Sequence, residues 1–272
     1  MFGNALLNVR EKSPLVQVIT NFVTVNDCAN IILAAGASPT MAHDEAEVEE
    51  IAAVASALVL NIGTVEKIEA MILAGKKCNE LGKPVVLDPV AAGATRLRSS
   101  TCEKLMNLLK LAVIRGNISE IKALATGVSA GRGVDADDGD IITDDTLEGA
   151  VEMAKALALR INTVVAVSGQ TDILTDGKTT YIIRNGHEMM SRITGTGCML
   201  TALIGVFCGA NPGTLLEAAA TAVAMMGVAG ERAYEKTARA QGGTLTFRTH
   251  LIDEISLMTP EVLNGGIKLE KY

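Results

Sequence analysis

Apolar positions along the chain fall into two alternating patterns. Short runs rich in valine, isoleucine and leucine predict buried strands, and the segments between them carry apolar residues at the spacing of a helix face. Predicted strands occupy residues 15–20, 38–42, 57–61, 84–87, 112–114 and 163–167, and predicted helices occupy residues 27–33, 45–53, 65–81, 99–109 and 146–160. Because each parallel connection needs a covering element, this alternation predicts a parallel sheet with helices on both faces.

A hairpin is predicted after the last of these strands. Residues 171–175 and 179–183 flank an Asp-Gly-Lys turn at residues 176–178, which is typical of two antiparallel strands joined directly. We therefore expect an α/β fold whose mostly parallel central sheet has an antiparallel hairpin at its edge. No internal repeat or low-complexity linker interrupts the pattern, so residues 1–272 are expected to form one domain.

Residues 127–140 break the alternation. The segment is acidic and rich in glycine, which predicts a surface loop. Within it, residues 131–136 match the glycine fingerprint of dinucleotide-binding folds in its form that ends in alanine. That fingerprint works between a strand and a helix, whereas here no clear strand precedes it and no helix begins from it. We therefore do not expect a dinucleotide site in this loop.

The longest apolar stretch follows a turn that runs from Thr194 to Cys198 and contains Gly195 and Gly197. The stretch predicts a buried helix that begins near Gly197. The first N–H groups of a helix lack intrahelical acceptors and carry the positive end of its dipole, so this turn is a candidate phosphate site with Cys198 beside the anion. The structural alternative is a glycine-rich turn that does no more than lead into a core helix.

Composition excludes several classes of function. Hydrophobic residues make up 49% of the chain and charged residues 20%, which excludes disorder and favours a sheet covered on both faces. Aromatic residues are only 3% and the net charge is −7 without a visible cluster of lysine and arginine. A surface that binds nucleic acid or an anionic membrane is therefore not expected.

Three further features concern location. The apolar region 198–230 is cut by Asn-Pro-Gly at residues 211–213 and carries Glu217, so it predicts two buried helices and no membrane span. The five cysteines include no C-x-x-C pair, which is typical of free thiols in a reducing cytoplasm. The N-terminal residues lack the features of a secretory signal and predict a short surface helix.

Polar residues cluster after the predicted strands, at the edge where a parallel sheet collects its ligands. They are Asn21, Met41 to His43, Asn61, Asp88, Arg115 to Glu120, Ser168 and the turn from 194 to 198. Each has a structural alternative: Asn117 and Glu120 spell a capping box, and Asp88 could be a turn residue before a proline. Met41 could be core filler. No single residue of this set indicates an active site, but their occurrence together at one edge of the sheet does.

Six segments at these positions carry a resemblance to a known family. They are residues 19–21 (Ile-Thr-Asn), 36–42, 57–64, 87–90 (Leu-Asp-Pro-Val), 114–117 (Ile-Arg-Gly-Asn) and 194–198 (Thr-Gly-Thr-Gly-Cys). The sequence resembles the hydroxyethylthiazole kinase family of the ribokinase-like superfamily from Ser13 to about Thr244. Cys198 is the most telling residue, because most ribokinase-like kinases have an aspartate there. The resemblance implies a three-layer α/β/α sandwich.

The resemblance also implies an activity and a set of roles. The γ-phosphoryl group of ATP would pass to the primary alcohol of 4-methyl-5-(2-hydroxyethyl)thiazole, with Mg²⁺ as cofactor, in a homotrimer whose thiazole pocket is shared between neighbouring subunits. The implied roles are substrate contacts for Asn21, Met41 and Gly195, ATP contacts for Arg115, Ser168, Thr194 and Gly197, magnesium binding, directly or through water, for Asp88 and Glu120, and a position facing the reacting hydroxyl for Cys198. The chain departs from the family at Ala91, where members have glycine.

Cys198 raises a question of mechanism. A helix N-terminus lowers the pKa of a thiol, so we expect a useful thiolate fraction at neutral pH. A loose phosphoryl-transfer transition state, however, has little need of a base.

Three alternatives to the kinase function stay open. One is a ribokinase-like dehydratase that repairs hydrated NAD(P)H, which would have aspartate in place of Cys198; another is a binding protein without catalysis. The third is acylation through a reactive cysteine, for which no histidine partner is evident.

Overall fold

Strands and helices alternate through most of the computed structural model, which describes residues 2–127 and 142–272. The strands are β1 (Leu15–Ile19), β2 (Ser38–Thr40), β3 (Ala57–Asn61), β4 (Val85–Asp88), β5 (Val113–Asn117), β6 (Val164–Ser168), β7 (Asp172–Thr175), β8 (Thr180–Ile183) and β9 (Leu269–Lys271). The helices are α1 (Phe2–Lys12), α2 (Val25–Ala35), α3 (Val48–Val54), α4 (Ile68–Glu80), α5 (Arg96–Leu108), α6 (Ile118–Thr126), α7 (Asp144–Ile161), α8 (Thr196–Ala210), α9 (Leu215–Arg239), α10 (Thr244–Leu257) and α11 (Pro260–Gly266). A 3₁₀ turn covers Glu188–Arg192. The predicted acidic loop and its glycine fingerprint lie outside the described residues, apart from Gly127, which caps α6.

Within the described residues the strands form one nine-stranded sheet in the order β2-β1-β3-β4-β5-β6-β7-β8-β9. The pairs from β2 to β6 are parallel, and β7, β8 and β9 each pair antiparallel with the strand before them in the sheet. This confirms the mostly parallel sheet and the antiparallel hairpin, whose turn has Gly177 at φ 88°. The register sets Asn61 beside Asp88 and Asn117 beside Ser168, so four polar residues share the carboxyl edge.

Helices cover both faces of the sheet, as the alternation predicts. Successive strand residues point to opposite faces. Val164 and Ala166 of β6 therefore belong to the core that includes α1, α2, α8, α9, α10 and α11, whereas Val165 and Val167 belong to the core on the side of α3 to α7. The centre of the first layer is α8, which is buried along nearly its whole length. The break at residues 211–213 separates α8 from α9 as predicted. No described helix is long and apolar enough to cross a membrane.

Three parts of the fold differ from the sequence prediction. The N-terminal helix is not confined to the surface, because Leu6 and Val9 of α1 are fully buried in the first layer. The elements α10, α11 and β9 were not predicted, and β9 adds the last antiparallel strand at the edge beside β8. Helix α5 begins earlier than predicted, at Arg96, because Thr95 caps it by accepting a hydrogen bond from the backbone N–H of Arg98.

Candidate active site

The carboxylate of Asp88 lies at the centre of the carboxyl edge. Its Oδ2 accepts hydrogen bonds from Asn61 Nδ2 at 2.8 Å and from Thr201 Oγ1 at 2.9 Å. Its Oδ1 is buried and has no hydrogen-bond partner among the described residues; the guanidinium of Arg115 lies 3.9 Å from it. Burial raises the pKa of Asp88, and Arg115, Thr201 and Asn61 oppose that rise. One oxygen is therefore fixed by the protein, and the other is left for a ligand.

The turn before α8 brings its backbone close to two side chains. Gly195 is the N-cap of α8 with φ 89°, and a Cβ built on it would lie 2.9 Å from the methyl group of Thr24. A Cβ built on Gly197 would lie 2.5 Å from an Arg115 guanidinium nitrogen. Both glycines are needed for these approaches, and the second one lets the guanidinium lie against the first turn of the helix. A cation and helix N–H groups therefore face the same space, which suits an anion.

Arg115 links this turn to the next strand. Its side chain is only 12% exposed, and its Nη2 donates a hydrogen bond to Ser168 Oγ at 2.5 Å. Its Nε is buried and makes no hydrogen bond within residues 2–127 and 142–272. Ser168 thus orients the guanidinium across β5 and β6 while one N–H remains for a bound group. Arg115, Ser168 and Gly197 are brought together as the predicted ATP site requires.

Glu120 has the capping role that the sequence offered as its structural alternative. The capping box is present: Asn117 Oδ1 accepts from the Glu120 N–H, and Glu120 Oε2 accepts from the Asn117 N–H, each at 2.8 Å. The other oxygen, Oε1, accepts from the N–H of Ala91 at 2.8 Å. Burial and the nearby Asp88 carboxylate raise the pKa of Glu120. The negative charge of Asp88 therefore disfavours ionisation of Glu120. Ala91, where the resemblance implies glycine, has a left-handed backbone with φ 57°.

Cys198 is the third residue of α8 and lies against the same network. Its Sγ accepts hydrogen bonds from Asn61 Nδ2 at 3.2 Å and from Asn21 Nδ2 at 3.5 Å. The expected thiolate is wrong: burial and the charge of Asp88 raise the pKa of the Cys198 thiol instead of lowering it. Desolvation is the largest cause of the rise, and the hydrogen bonds from Asn21 and Asn61 oppose it.

Two residues of this network were not assigned a role from the sequence. Asn61 bridges Asp88 and Cys198 through one amide nitrogen, and its Oδ1 accepts from Asn21 Nδ2 at 3.0 Å. Asp172, buried on β7, accepts a hydrogen bond from the N–H of Gly169 and so holds the turn after Ser168; burial raises its pKa to about 7. Asn61 was named from its place at a strand end but given no role, whereas Asp172 lies within a hairpin strand and carries no such signal.

A cavity of about 380 Å³ lies on the other side of the same turn, between α2 and α10. Its walls include Val23, Asp27, Ile193, Thr194, Leu245 and Arg248. Arg248 is paired with the buried carboxylate of Asp27, and these two side chains line the cavity together with Arg192 and the apolar residues. Thr194 is exposed at this cavity. Met41 lies apart from the hydrogen-bonded network, partly buried after the edge strand β2.

The fold and this site indicate the class of protein. Two buried carboxylates, an arginine and a helix N-terminus at the carboxyl edge of a mostly parallel sheet are the parts that phosphoryl transfer needs. A pyridoxal kinase from Bacillus subtilis, solved as an ADP complex, has the same fold with a TM-score of 0.59 at 16% identity, covering 80% of this chain and 91% of that one. The protein shares the fold of this kinase.

Closer comparisons give the family. Residues 6–261 match the model of the hydroxyethylthiazole kinase family. A hydroxyethylthiazole kinase from Clostridium acetobutylicum is 46% identical over the full length of both chains, and one from Alkaliphilus oremlandii is 49% identical over 92% of this chain and 90% of its own. The solved structure of the Pyrococcus horikoshii hydroxyethylthiazole kinase protein has a TM-score of 0.88 at 38% identity, covering 100% and 98% of the two chains. The chain belongs to the hydroxyethylthiazole kinase family, and the dehydratase alternative finds no support.

Proposed function

We propose that the protein transfers the γ-phosphoryl group of ATP to the primary hydroxyl of 4-methyl-5-(2-hydroxyethyl)thiazole. One observation carries the proposal: the guanidinium of Arg115 lies against Gly197, on the first turn of α8, next to the unpartnered oxygen of Asp88. A cation and helix N–H groups can bind the phosphate oxygens, and the adjacent carboxylate suits a metal ion. Such placement and charge stabilisation supply most of the catalysis in phosphoryl transfer.

The residues of this chain have distinct parts in that reaction. Arg115 is held by Ser168 and binds the transferred phosphoryl group together with the N–H groups of the turn from Thr194 to Gly197. Gly195 lies between this anion site and the cavity, so the hydroxyl enters from the cavity side. Cys198 faces that hydroxyl as a protonated thiol and orients it. A strong base is not required, because the transition state is loose.

Magnesium fits the carboxylates at this edge. Asp88 Oδ1 is buried without a hydrogen bond in the described part of the chain, and carboxylate oxygens are the ligands that Mg²⁺ takes. Both oxygens of Glu120 already accept backbone hydrogen bonds, so Glu120 would act through water. The described residues contain no group of three or more His, Cys, Asp or Glu side chains that could hold a metal, so phosphate oxygens and water would complete the coordination. When bound, magnesium supplies charge neutralisation.

The thiazole ring belongs in the cavity beside Gly195. Its walls include Val23, Ile193 and Leu245, which can contact a methylated ring. Asn21 would contact the substrate next to Cys198, to whose Sγ it donates a hydrogen bond. Phe22 and Leu245 beside the cavity are 78% and 68% exposed. Exposed apolar side chains of this size favour cover by a second copy of the chain, with Met41 of the edge-strand segment reaching the neighbour's pocket in a homotrimer.

Two further proposals follow from the same observations. The nine-stranded sheet connects elements from β1 to β9, which supports one domain for residues 1–272. All five cysteines are described and unpaired, which supports a cytoplasmic location.

One assay tests the substrate. ADP release would be measured with ATP and Mg²⁺ in the presence of the thiazole alcohol and, separately, of hydrated NADH. We expect release that depends on the thiazole alcohol and saturates with it. Release with hydrated NADH alone would refute the proposal and favour the dehydratase reaction. Light scattering during gel filtration would report the trimer, and a monomer with full activity would refute the shared pocket.

A further inference from the structure

Arg98 lies outside the proposed substrate and metal contacts, yet it is tied to both loops that carry them. It is the third residue of α5, and its own N–H is fixed by the cap at Thr95. Its guanidinium donates to the carbonyl oxygens of Ile62 at 2.6 Å and Gly63 at 3.0 Å, which follow β3. It also donates to the carbonyl oxygen of Val90 at 3.0 Å, which follows β4.

The peptide group between Ile62 and Gly63 connects Arg98 to Asn61. In a trans peptide the C=O and the next N–H point in opposite directions, so a donor that fixes the carbonyl also aims the N–H. The N–H of Gly63 donates to Asn61 Oδ1 at 2.9 Å. That bond fixes which end of the Asn61 amide is the acceptor, so its Nδ2 points to Asp88 and Cys198.

The peptide group after Val90 does the same for Glu120. Its carbonyl accepts from Arg98, and its N–H, which belongs to Ala91, donates to Glu120 Oε1 at 2.8 Å. The described peptide bonds are all trans, so the geometric argument holds for both groups. The left-handed backbone of Ala91 marks the tight turn that this arrangement needs.

We propose that Arg98 is a positioning residue that clamps the peptide groups 62–63 and 90–91 and thereby sets the orientation of Asn61 and Glu120. The inference rests on the proposed function, because it gives Asp88 and Glu120 the metal and Cys198 the substrate hydroxyl. The planar guanidinium reaches three carbonyls at once. A lysine keeps the charge but has one nitrogen, so it cannot hold both loops in the same geometry.

The test compares Arg98→Lys with Arg96→Lys, a matched change at an exposed arginine on the same helix. Calorimetry would measure the affinity for ADP with Mg²⁺ and with EDTA. The ratio of the affinity with Mg²⁺ to the affinity with EDTA reports how much the metal contributes to binding, and it does not depend on turnover. Removing a residue that orients a metal ligand typically costs 10- to 100-fold, so we expect Arg98→Lys to lower the ratio about tenfold and kcat about tenfold. The KM for the thiazole alcohol should stay within about twofold, and Arg96→Lys should match the wild type.

The alternatives give different results. If Arg98→Lys lowers the melting temperature but keeps the wild-type affinity ratio and kcat, Arg98 is a purely structural residue and the proposal is overturned. A wild type whose ADP affinity does not respond to Mg²⁺ overturns it too. If the ADP affinity of the wild type responds to Mg²⁺ but the enzyme does not phosphorylate the thiazole alcohol, the proposed function fails. The affinity ratio of Arg98→Lys then still shows whether Arg98 positions the metal ligands. Adding Arg98→Lys to Glu120→Gln should lower the ratio by less than Arg98→Lys does alone, because the branch of the clamp that ends at Glu120 is already lost and only the branch to Asn61 remains.

Discussion

Replacing Gly197 by alanine tests the anion site directly, because the added methyl group would occupy the space of Arg115. The new Cβ would lie 2.5 Å from one guanidinium nitrogen and 3.0 Å from the other, whereas ordinary contacts begin at 3.4 Å. The guanidinium must therefore retreat by about 1 Å, which breaks its hydrogen bond to Ser168 and its approach to the helix. Displacement of about 1 Å at a reacting group can cost about 100-fold in rate.

Steady-state kinetics with both substrates varied would measure the effect. We expect Gly197→Ala to lower kcat/KM for ATP by about 100-fold. The KM for the thiazole alcohol should change by less than about threefold, because the cavity lies on the other side of the turn. Gly213→Ala is the matched control, since a Cβ there meets nothing within 4 Å. A Gly197→Ala enzyme that folds and keeps the wild-type kcat/KM for ATP would show that Arg115 does not bind the nucleotide.

The remaining predictions concern three other side chains. Arg115→Ala should raise the KM for ATP more than the KM for the thiazole alcohol, and equal effects on the two would reject its nucleotide role. Cys198→Ser should leave measurable activity because the thiol is protonated and a hydroxyl can replace it, and Cys198→Asp should keep or improve activity; complete loss in both folded variants would indicate a covalent cysteine mechanism. Burial raises the folded-state pKa of Asp172 from 3.8 to about 7, so the folded protein holds this proton longer than the unfolded chain and stability falls as pH rises from about 4 to 7. Urea unfolding should show that Asp172→Asn gains about 4 kcal/mol relative to the wild type between pH 4 and pH 8, and a constant difference across that range would contradict the shift.

Local signals in the sequence were enough for most of the elements and for part of the site. The alternation of apolar runs predicted the strands from β1 to β8 nearly in place, and the Asp-Gly-Lys turn predicted the antiparallel edge. The capping box at Asn117 and the glycine turn before α8 were also readable, because capping and turn chemistry depend on residues a few positions apart. Candidate site residues could be named because strand ends collect on one edge.

Contacts between distant segments decided the rest. The pKa of the Cys198 thiol rises because β3 and β4 bring Asn61 and Asp88 against it, whereas the helix that carries it predicts the opposite. The clamp by Arg98 joins peptide groups that lie 36 and 8 residues away along the chain.

The sequence by itself determined which segments become strands and helices, because hydrophobic periodicity and turn residues act over a few positions. Only the tertiary structure decided that α1 is half-buried, that β9 completes the sheet and that Asp172 supports the turn after Ser168. The physical reason is that desolvation and the orientation of buried hydrogen bonds depend on which chain segments pack together. No local pattern contains that information.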